Sequence, residues 1–398
     1  MDPITHGIAG ALLGKSFFAK REGRIATYAA VLGAVFPDVD VFAELFTRDP
    51  LSVIRYHRGF THSFFGLPLF AVFLAWLTRI ALRKRGAPSF GMLTLIYAVG
   101  IASHILLDAT TSFGTRLLNP FSADRVAWDL IFIIDFSFTA ILLVPQVSAW
   151  IFREREGAQK RAWLMWIIFN LSAIVVWLLA TALGFTFHLW ILAVFALMLA
   201  AVFVFPLAGG RGFSISQTAW CLAGTIAMLL YVAACWVAHH AALARVAAFA
   251  AENHVNVVHI GAIPSPPSFL EWSGKVRTPD GVYQSRFDLR DAAPPVFEYL
   301  ADSPHDAFTD EAINLPDARV YLWFARFPVI HSHSQGENHV IEFSDSRFSD
   351  SGKHLPNPFH LRFVLSSDGQ LLEEDWSEGA SGLRTRKIFE KAPGAATK

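Results

Sequence analysis

The stretch His57–Leu82, HRGFTHSFFGLPLFAVFLAWLTRIAL, sets two histidines and an arginine directly before a long oily run, Phe64–Leu82. A run of that length approaches the ~20 apolar residues that carry a helix across a bilayer. The same texture recurs in Gly91–Leu107, Leu130–Trp150, Trp163–Leu183, Leu189–Leu207 and Thr218–His239. Of the 398 residues, 54% are hydrophobic and 17% charged, against roughly 25% charged in an ordinary soluble domain. The mean hydropathy is +0.41. These features describe a polytopic α-helical membrane protein, with about 6–8 membrane helices once two weaker stretches are counted.

The weaker stretches are Ile4–Ala19 and Ile25–Leu45; the first is short and the second is broken by FPDVD at 36–40. They read as a helical hairpin turning at Lys20, Arg21 and Arg24. The N-terminus, MDPITHGIAGALLG, lacks the basic leader of a secretory signal and is expected to stay in the mature protein. Basic residues also follow the long spans, at Arg83, Lys84 and Arg85, at Arg153, Arg155, Lys160 and Arg161, and at Arg211. By the positive-inside rule these loops face the cytoplasm, so everything beyond His239 faces outward. A net charge of +0 and a pI near 7.3 speak against a nucleic-acid partner. Cys221 and Cys235 share one apolar span and read as free core residues.

Beyond about residue 245 the chain becomes polar, after the linker-like break IPSPPSF. Arg319–Phe327 (RVYLWFARF), Val340–Phe343 and His360–Leu365 read as strands between turns. The expected organisation is therefore a membrane domain over 1–150 carrying the chemistry, additional transmembrane helices over 151–245, and a small, mainly-β, largely antiparallel extramembrane domain over 246–398.

Charged and ionisable groups inside membrane spans are costly and default to functional hypotheses. Here they are His6, Asp38, Asp40, His57, Arg58, His62, His104, Asp108, Asp129 and Asp135. With a rise of 1.5 Å per residue, Asp38 and His104 each lie roughly 21 Å from the cytoplasmic face and Asp108 about 27 Å. Asp129 falls near the outer surface and Asp135 about 10 Å below it. His6, His57 and His62 enter from outside. All of them therefore fall in the outer half of a ~30 Å hydrocarbon core.

His104 and Asp108 are four apart and share a helix face, so they can grip one metal, or the carboxylate can orient the imidazole. Pro37 frees backbone beside Asp38 and Asp40. Gly59 lets the chain turn, and Thr61 is placed to cap the helix that follows. Arg58 stands as a fixed cation suited to a phosphate or carboxylate. Mixed His and Asp donors suit Zn²⁺, with Mn²⁺ the alternative if carboxylates dominate. Plainer uses exist for some residues. His188 and the His239–His240 pair read as packing residues, Asp129 as a helix cap, Arg58 as an interfacial anchor, and His331, His333 and His339 of HSHSQGENH as a solvated loop. Asp135, in FIIDFSF, has no such plain use and must be paired or protonated.

PITHGIAGALLG, FPDVD, HRGFTHS, HILLDATTSFGTRLLNPFS and WDLIFIIDF follow one another in the order of the motifs of the bacterial membrane-bound metal-dependent hydrolase family, which this chain resembles. Some of its members are described as LexA-regulated inner-membrane proteins. The resemblance covers roughly residues 1–150 and extends loosely over the later spans. It implies metal ligands at His6, Asp38, His57, His62, His104 and Asp108, with Asp40, Asp129 and Asp135 as further ligands or supporting groups. The family is distantly similar to the helical zinc phospholipase C and single-strand nuclease group, which implies phosphoester hydrolysis. This chain departs from the family pattern at Phe136, where proline commonly follows the aspartate.

The expected activity is metal-assisted hydrolysis, in which zinc activates a water and polarises the scissile group. Asp38 or Asp135 would serve as general base or bridge, and Arg58 would neutralise the substrate. The site's depth favours membrane lipids as partners and a lipid or lipid-linked substrate at the outer face of the bacterial inner membrane. Two other classes stay open: an ion- or proton-coupled transporter using the intramembrane aspartates, and a non-catalytic scaffold pinned by structural metal. No second copy of the His/Asp motifs follows residue 150, which counts against the paired halves common in transporters.

Overall fold

The computed structural model describes the chain except residues 48, 83–87, 183–187, 267, 349–358, 379–382 and 388–398. The basic group Arg83, Lys84 and Arg85 lies outside the described residues. Two antiparallel helices open the chain, α1 (Pro3–Phe17) and α2 (Ala19–Val35). Asp2 caps α1 by accepting from Thr5 N, and Pro3 occupies its first turn, where a missing N–H costs nothing. Beyond α2 the backbone tightens into a 3-10 stretch, Phe36–Phe46, with Pro37 at its start.

A short α3 (Ser52–Tyr56) and a 3-10 turn at Phe60–His62 lead into α4 (Gly66–Ala81). Ser63, rather than Thr61, caps α4, its hydroxyl accepting from Gly66 N at 2.9 Å. Then come α5 (Phe90–Ala109), α6 (Phe136–Ile151), α7 (Ala158–Ala182), α8 (Trp190–Phe203) and α9 (Gln217–Glu252).

Glycines set the helix spacing. A Cβ on Gly10 of α1 would lie 2.7 Å from Ala30 O, and one on Gly100 of α5 would lie 2.6 Å from the same oxygen. Small residues at such crossings let membrane helices approach backbone to backbone. Thus α2 is clasped between α1 and α5, while α6 and α9 pack on the other side of α1 around Phe138, Leu142, Cys221 and Met228. The two cysteines are free and buried, as expected.

Fewer helices than expected have the length of a membrane span. Among the described residues four qualify (Ala19–Phe42, counted through the 3-10 break, then α5, Ala158–Leu179 of α7, and α9), or five if α8 and the bent segment after it count as one. At 16 residues each, α4 and α6 extend only about 24 Å. The expected span Leu130–Trp150 loses its first turn and a half, because Trp128 N and Leu130 N are bound to Ala109 O and Thr110 O at the end of α5. Helix α9 runs the other way, 13 residues past His239, and buries Ala242, Val246 and Ala250 against Trp272, Val276 and Phe287.

The remainder forms two antiparallel sheets in simple up-and-down order. The first holds β1 (His259–Ser265), β2 (Glu271–Thr278), β3 (Gly281–Asp288) and β4 (Glu298–Ala301). The second holds β5 (Pro328–Gln335), β6 (Asn338–Asp345), β7 (Phe359–Leu365), β8 (Leu371–Glu378) and β9 (Leu383–Lys387). Part of the expected linker IPSPPSF is therefore the end of β1.

Helices α10 (Ala307–Asn314) and α11 (Pro316–Phe324) join the sheets. The expected strand RVYLWFARF is mostly α11. Pro316 opens it, and Ala318, Tyr321 and Phe324 bury one face at helical spacing. His331, His333 and His339 sit in β5 and β6 rather than in a loop, and Gly336, at φ 65, makes the turn between those strands.

Candidate metal centre

The close packing of α2 on α5 aims the chemistry. At the end of α2, Ala34 O accepts from His104 Nδ1 at 2.7 Å. That bond places the proton on Nδ1 and leaves the Nε2 lone pair of His104 facing inward. His62 is held the same way from its other edge. Its Nδ1 lies 3.2 Å from Asp40 Oδ2 and 2.9 Å from Thr61 Oγ1, whose own proton goes to Asp40 at 2.7 Å. His62 Nε2 is therefore also turned inward, and the two Nε2 atoms stand 2.9 Å apart.

Two carboxylate oxygens close on the same point. Asp38 Oδ1 is 3.5 Å from His62 Nε2 and 3.4 Å from His104 Nε2, and Asp108 Oδ2 is 3.3 and 3.5 Å from them. All four donor atoms lie within 4.8 Å of one another. A tetrahedral site with bonds near 2.0–2.1 Å has donor-to-donor edges of about 3.3–3.4 Å. The nitrogen–nitrogen edge and the four nitrogen–oxygen edges of this cluster span 2.9–3.5 Å. His62, His104 and Asp108 are fully buried, and Asp38 Oδ2 and Asp108 Oδ2 are buried without a hydrogen-bond partner. Two inward-facing imidazole nitrogens and two carboxylate oxygens make an N₂O₂ donor set of the kind that could hold a divalent metal of the zinc type.

The surrounding shell is specific. Asp40 Oδ1 takes His57 Nδ1 at 2.8 Å, and its Oδ2 also takes Arg58 N at 3.1 Å. Together Asp40, His57 and His62 form a second, more open group of metal-type donors. His57 lies in the connection between helices, where burial pushes its imidazole below the usual range although Asp40 pulls the other way.

Arg58 adopts φ 58, a strained conformation for a side-chain-bearing residue. Its guanidinium is buried and turned toward the cluster. Nη1 donates to Thr111 Oγ1 at 2.7 Å and to Asp108 O at 3.2 Å. Nε stands 2.9 Å from Asp108 Oδ2, close enough for an ion pair but out of line for a hydrogen bond. The fully buried Asp108 needs that charge beside it. His6 Nε2 lies 3.1 Å from Asp108 Oδ1, its ring stacks on His104 at 3.7 Å, and the amino group of Met1 also reaches Asp108.

Two expected site residues stand outside this cluster. Asp135 is the N-cap of α6, accepting from Ser137 N and Phe138 N, and its other oxygen takes the Tyr231 hydroxyl and Ser268. It ties α6 to α9 and to the turn between β1 and β2. Asp129, at φ 53, is not a helix cap but holds Arg326 through two bonds of 3.0 and 2.8 Å. Sequence spacing gives no sign of either partner, since Arg326 lies 197 positions away from Asp129. The sequence does not mark Thr61 and Thr111 as parts of the site either; hydroxyls beside charged motif residues are the available signal.

Residues 1–185, which contain the whole cluster, match the model of the YdjM inner membrane protein family. Over 122 residues the chain is 27% identical to the uncharacterized protein YfhP of Bacillus subtilis (strain 168), a match covering 31% of this chain and 36% of that relative. The chain thus spans about a third of that relative's length. No solved structure matches it. The match to an inner-membrane family and the apolar helices together support an inner-membrane protein.

Proposed function

We propose that the cluster binds a divalent metal, most simply zinc, and that the protein hydrolyses a phosphoester in a lipid or lipid-linked substrate at the outer face of the inner membrane. The observation that carries this reading is the convergence of His62, His104, Asp38 and Asp108 at 2.9–3.5 Å, each imidazole already fixed from behind. Such a metal supplies Lewis-acid polarisation of a phosphoryl or acyl oxygen and activation of a water.

The chain's own residues divide the remaining work. Ala34 O and Asp40 hold the two imidazoles in the donor tautomer. Arg58 and His6 compensate the charge of Asp108. Asp38, the most open of the four, keeps its buried Oδ2 available as a base. His57, whose Nδ1 is bound to Asp40, keeps Nε2 as a proton acceptor. The outward placement draws on two features. The β region docks at the cluster's end of the bundle, through Arg347 Nη1 to Ser112 O and Arg326 to Asp129. The basic residues Arg153, Arg155 and Arg211 fall on the connections from α6 to α7 and from α8 to α9, and Arg161 falls in the first turn of α7.

One observation favours a second reading. Three of the four donors are completely buried, which is how a structural metal is held. The test is metal content by elemental mass spectrometry on the detergent-purified protein and on a His104→Ala/Asp108→Ala variant, followed by a lipid-phosphoester turnover screen. Stoichiometric metal lost in a folded variant, with turnover lost alongside it, supports the hydrolase. Metal without turnover of any phosphoester moves the assignment to a structural centre.

A further inference from the structure

The loop between α5 and α6 separates two hollows that share Ala127 as a wall. One is a cavity of about 160 Å³ lined by Phe113, Arg125, Trp323, Phe324, Arg326 and Arg347. Liquid water occupies about 30 Å³ per molecule, so the cavity has room for a polar group of several heavy atoms. The other is an apolar groove of about 660 Å³ between Trp128 and Leu130 on the loop and Leu229, Val232, Trp236 and His239 on α9. Helix α9, which forms one wall of the groove, is one of the helices long and apolar enough to cross a membrane.

The three arginines of the cavity are not equivalent. Arg326 is neutralised by Asp129 and Arg347 by Asp345. Arg125 has no carboxylate partner among the described residues. Its Nη atoms go to the carbonyls of Gly114, Ile54 and His57, and its Nε is buried without a partner. Asp124, exposed at the mouth, is bonded to Ser122.

Rings of Phe113, Trp323 and Phe324 lie 5.0–5.4 Å from the Arg125 guanidinium. Arg116 stands close by, its own Nε also buried without a partner. Burial first, then the neighbouring guanidiniums of Arg116, Arg58 and Arg347, press Arg125 well below its usual range. A guanidinium does not give up its proton, so the cavity holds a buried positive charge that is bonded to carbonyls and to no carboxylate, with Asp40 acting on it only at a distance. Such a charge is costly unless an anion joins it.

We propose that the two hollows are one binding site for an anionic phospholipid, with the phosphate against Arg125 in the cavity and an acyl chain in the groove beside α9. The apolar groove sets out the tail, the unpartnered Nε–H of Arg125 offers a charged donor to a phosphate oxygen, and Trp128 and Trp236 line the groove with the kind of side chain enriched at membrane interfaces. The phosphate end lies one ring from the metal cluster, because Phe113 has Arg58 on it at 5.0 Å and Arg125 at 5.2 Å. The site stands on its own residues and does not depend on the hydrolase reading.

The test uses the full chain in neutral detergent, titrated with phosphatidylglycerol, phosphatidylcholine or inorganic phosphate, and read by native mass spectrometry and thermal shift. The expected result is retention of phosphatidylglycerol over phosphatidylcholine, weakened about tenfold in Arg125→Gln, the effect of losing a charge-assisted hydrogen bond. Val232→Trp, which fills the groove and leaves the arginines intact, is expected to weaken phosphatidylglycerol by a similar factor. Should Arg125→Gln fail to fold, Arg125→Lys keeps the charge without the fork and is expected to reduce the preference. Equal binding of the two lipids, an unchanged preference in the folded arginine variants, or binding of inorganic phosphate without lipid preference would each overturn the proposal. Lipid retention is read without turnover, so an inactive protein that keeps the preference separates this site from the hydrolase assignment.

Discussion

Asp40→Asn distinguishes a metal ligand from a group that holds ligands in place. Asp40 accepts three hydrogen bonds, from His57 on one oxygen and from Arg58 N and Thr61 on the other, and that second oxygen also stands 3.2 Å from His62 Nδ1. Asparagine keeps the shape but offers one acceptor oxygen. The cheaper orientation leaves that oxygen to Arg58 N and Thr61 and turns the amide NH₂ toward His57, which answers by moving its own proton to Nε2. The fold survives, and what is lost is the negative charge behind His62. Removing such an outer partner typically costs 10- to 100-fold in metal affinity, about 1.4–2.8 kcal/mol. The assay is competition with a chromophoric chelator on detergent-purified protein, with elemental mass spectrometry for stoichiometry and His104→Ala as the reference for a lost ligand. An affinity unchanged within twofold would refute the supporting role. Complete loss of metal, as in His104→Ala, would make Asp40 a ligand in its own right.

Gly100→Val drives a side chain into Ala30 O and Ala34 N. It should cost at least the ~1–3 kcal/mol of overpacking, and because Ala34 O holds His104, thermal stability and metal content should fall together; an unchanged melting temperature would contradict the close helix approach. Asp135→Ala removes the α6 cap and the anchor of Tyr231 and Ser268. Cap loss alone is worth about 0.5–2 kcal/mol, yet metal stoichiometry should stay at the wild-type level, and its loss would return Asp135 to the site. Metal must displace protons from histidine donors, so affinity should fall as the pH is lowered, by up to about tenfold per pH unit for each proton displaced. An affinity that does not change with pH would rule out the imidazoles.

The ingredients of the centre were readable because charge in an apolar context has few explanations. His104 and Asp108 share a face by spacing alone, and Pro37 announced the break that frees Asp38 and Asp40 from α2. Roles were less readable. Asp129 and Asp135 look alike in WDLIFIID, and only the fold gives one to Arg326 and the other to the N-terminus of α6. Arg58 shows the same limit. Its position beside two histidines suggested a substrate contact, and nothing in the spacing announced its pairing with Asp108, which a turn at φ 58 brings within 2.9 Å. RVYLWFARF failed for a different reason. Its alternation resembles a strand, but Pro316 stands outside the window and decides the helix.

A cluster of this kind inside a membrane bundle needs more than helices. His57 and Arg58 sit between the short α3 and the three-residue 3-10 turn that ends at His62, a segment that makes few hydrogen bonds of its own. The segment borrows its rigidity. Arg116 N binds Arg58 O, Phe64 N binds Leu117 O, and Arg125 binds the carbonyls of Ile54 and His57. Leu51, Val53, Ile54 and Phe113 are then buried in the same core as Tyr321, Phe324, Ile330, Phe343 and Trp376. The β region is therefore part of what holds the His57–His62 turn in register with α5. That dependence explains a sequence in which motifs near the N-terminus have their supports more than two hundred residues downstream. The helices bring the four donors near one another, and the sheets fix the loop that completes them.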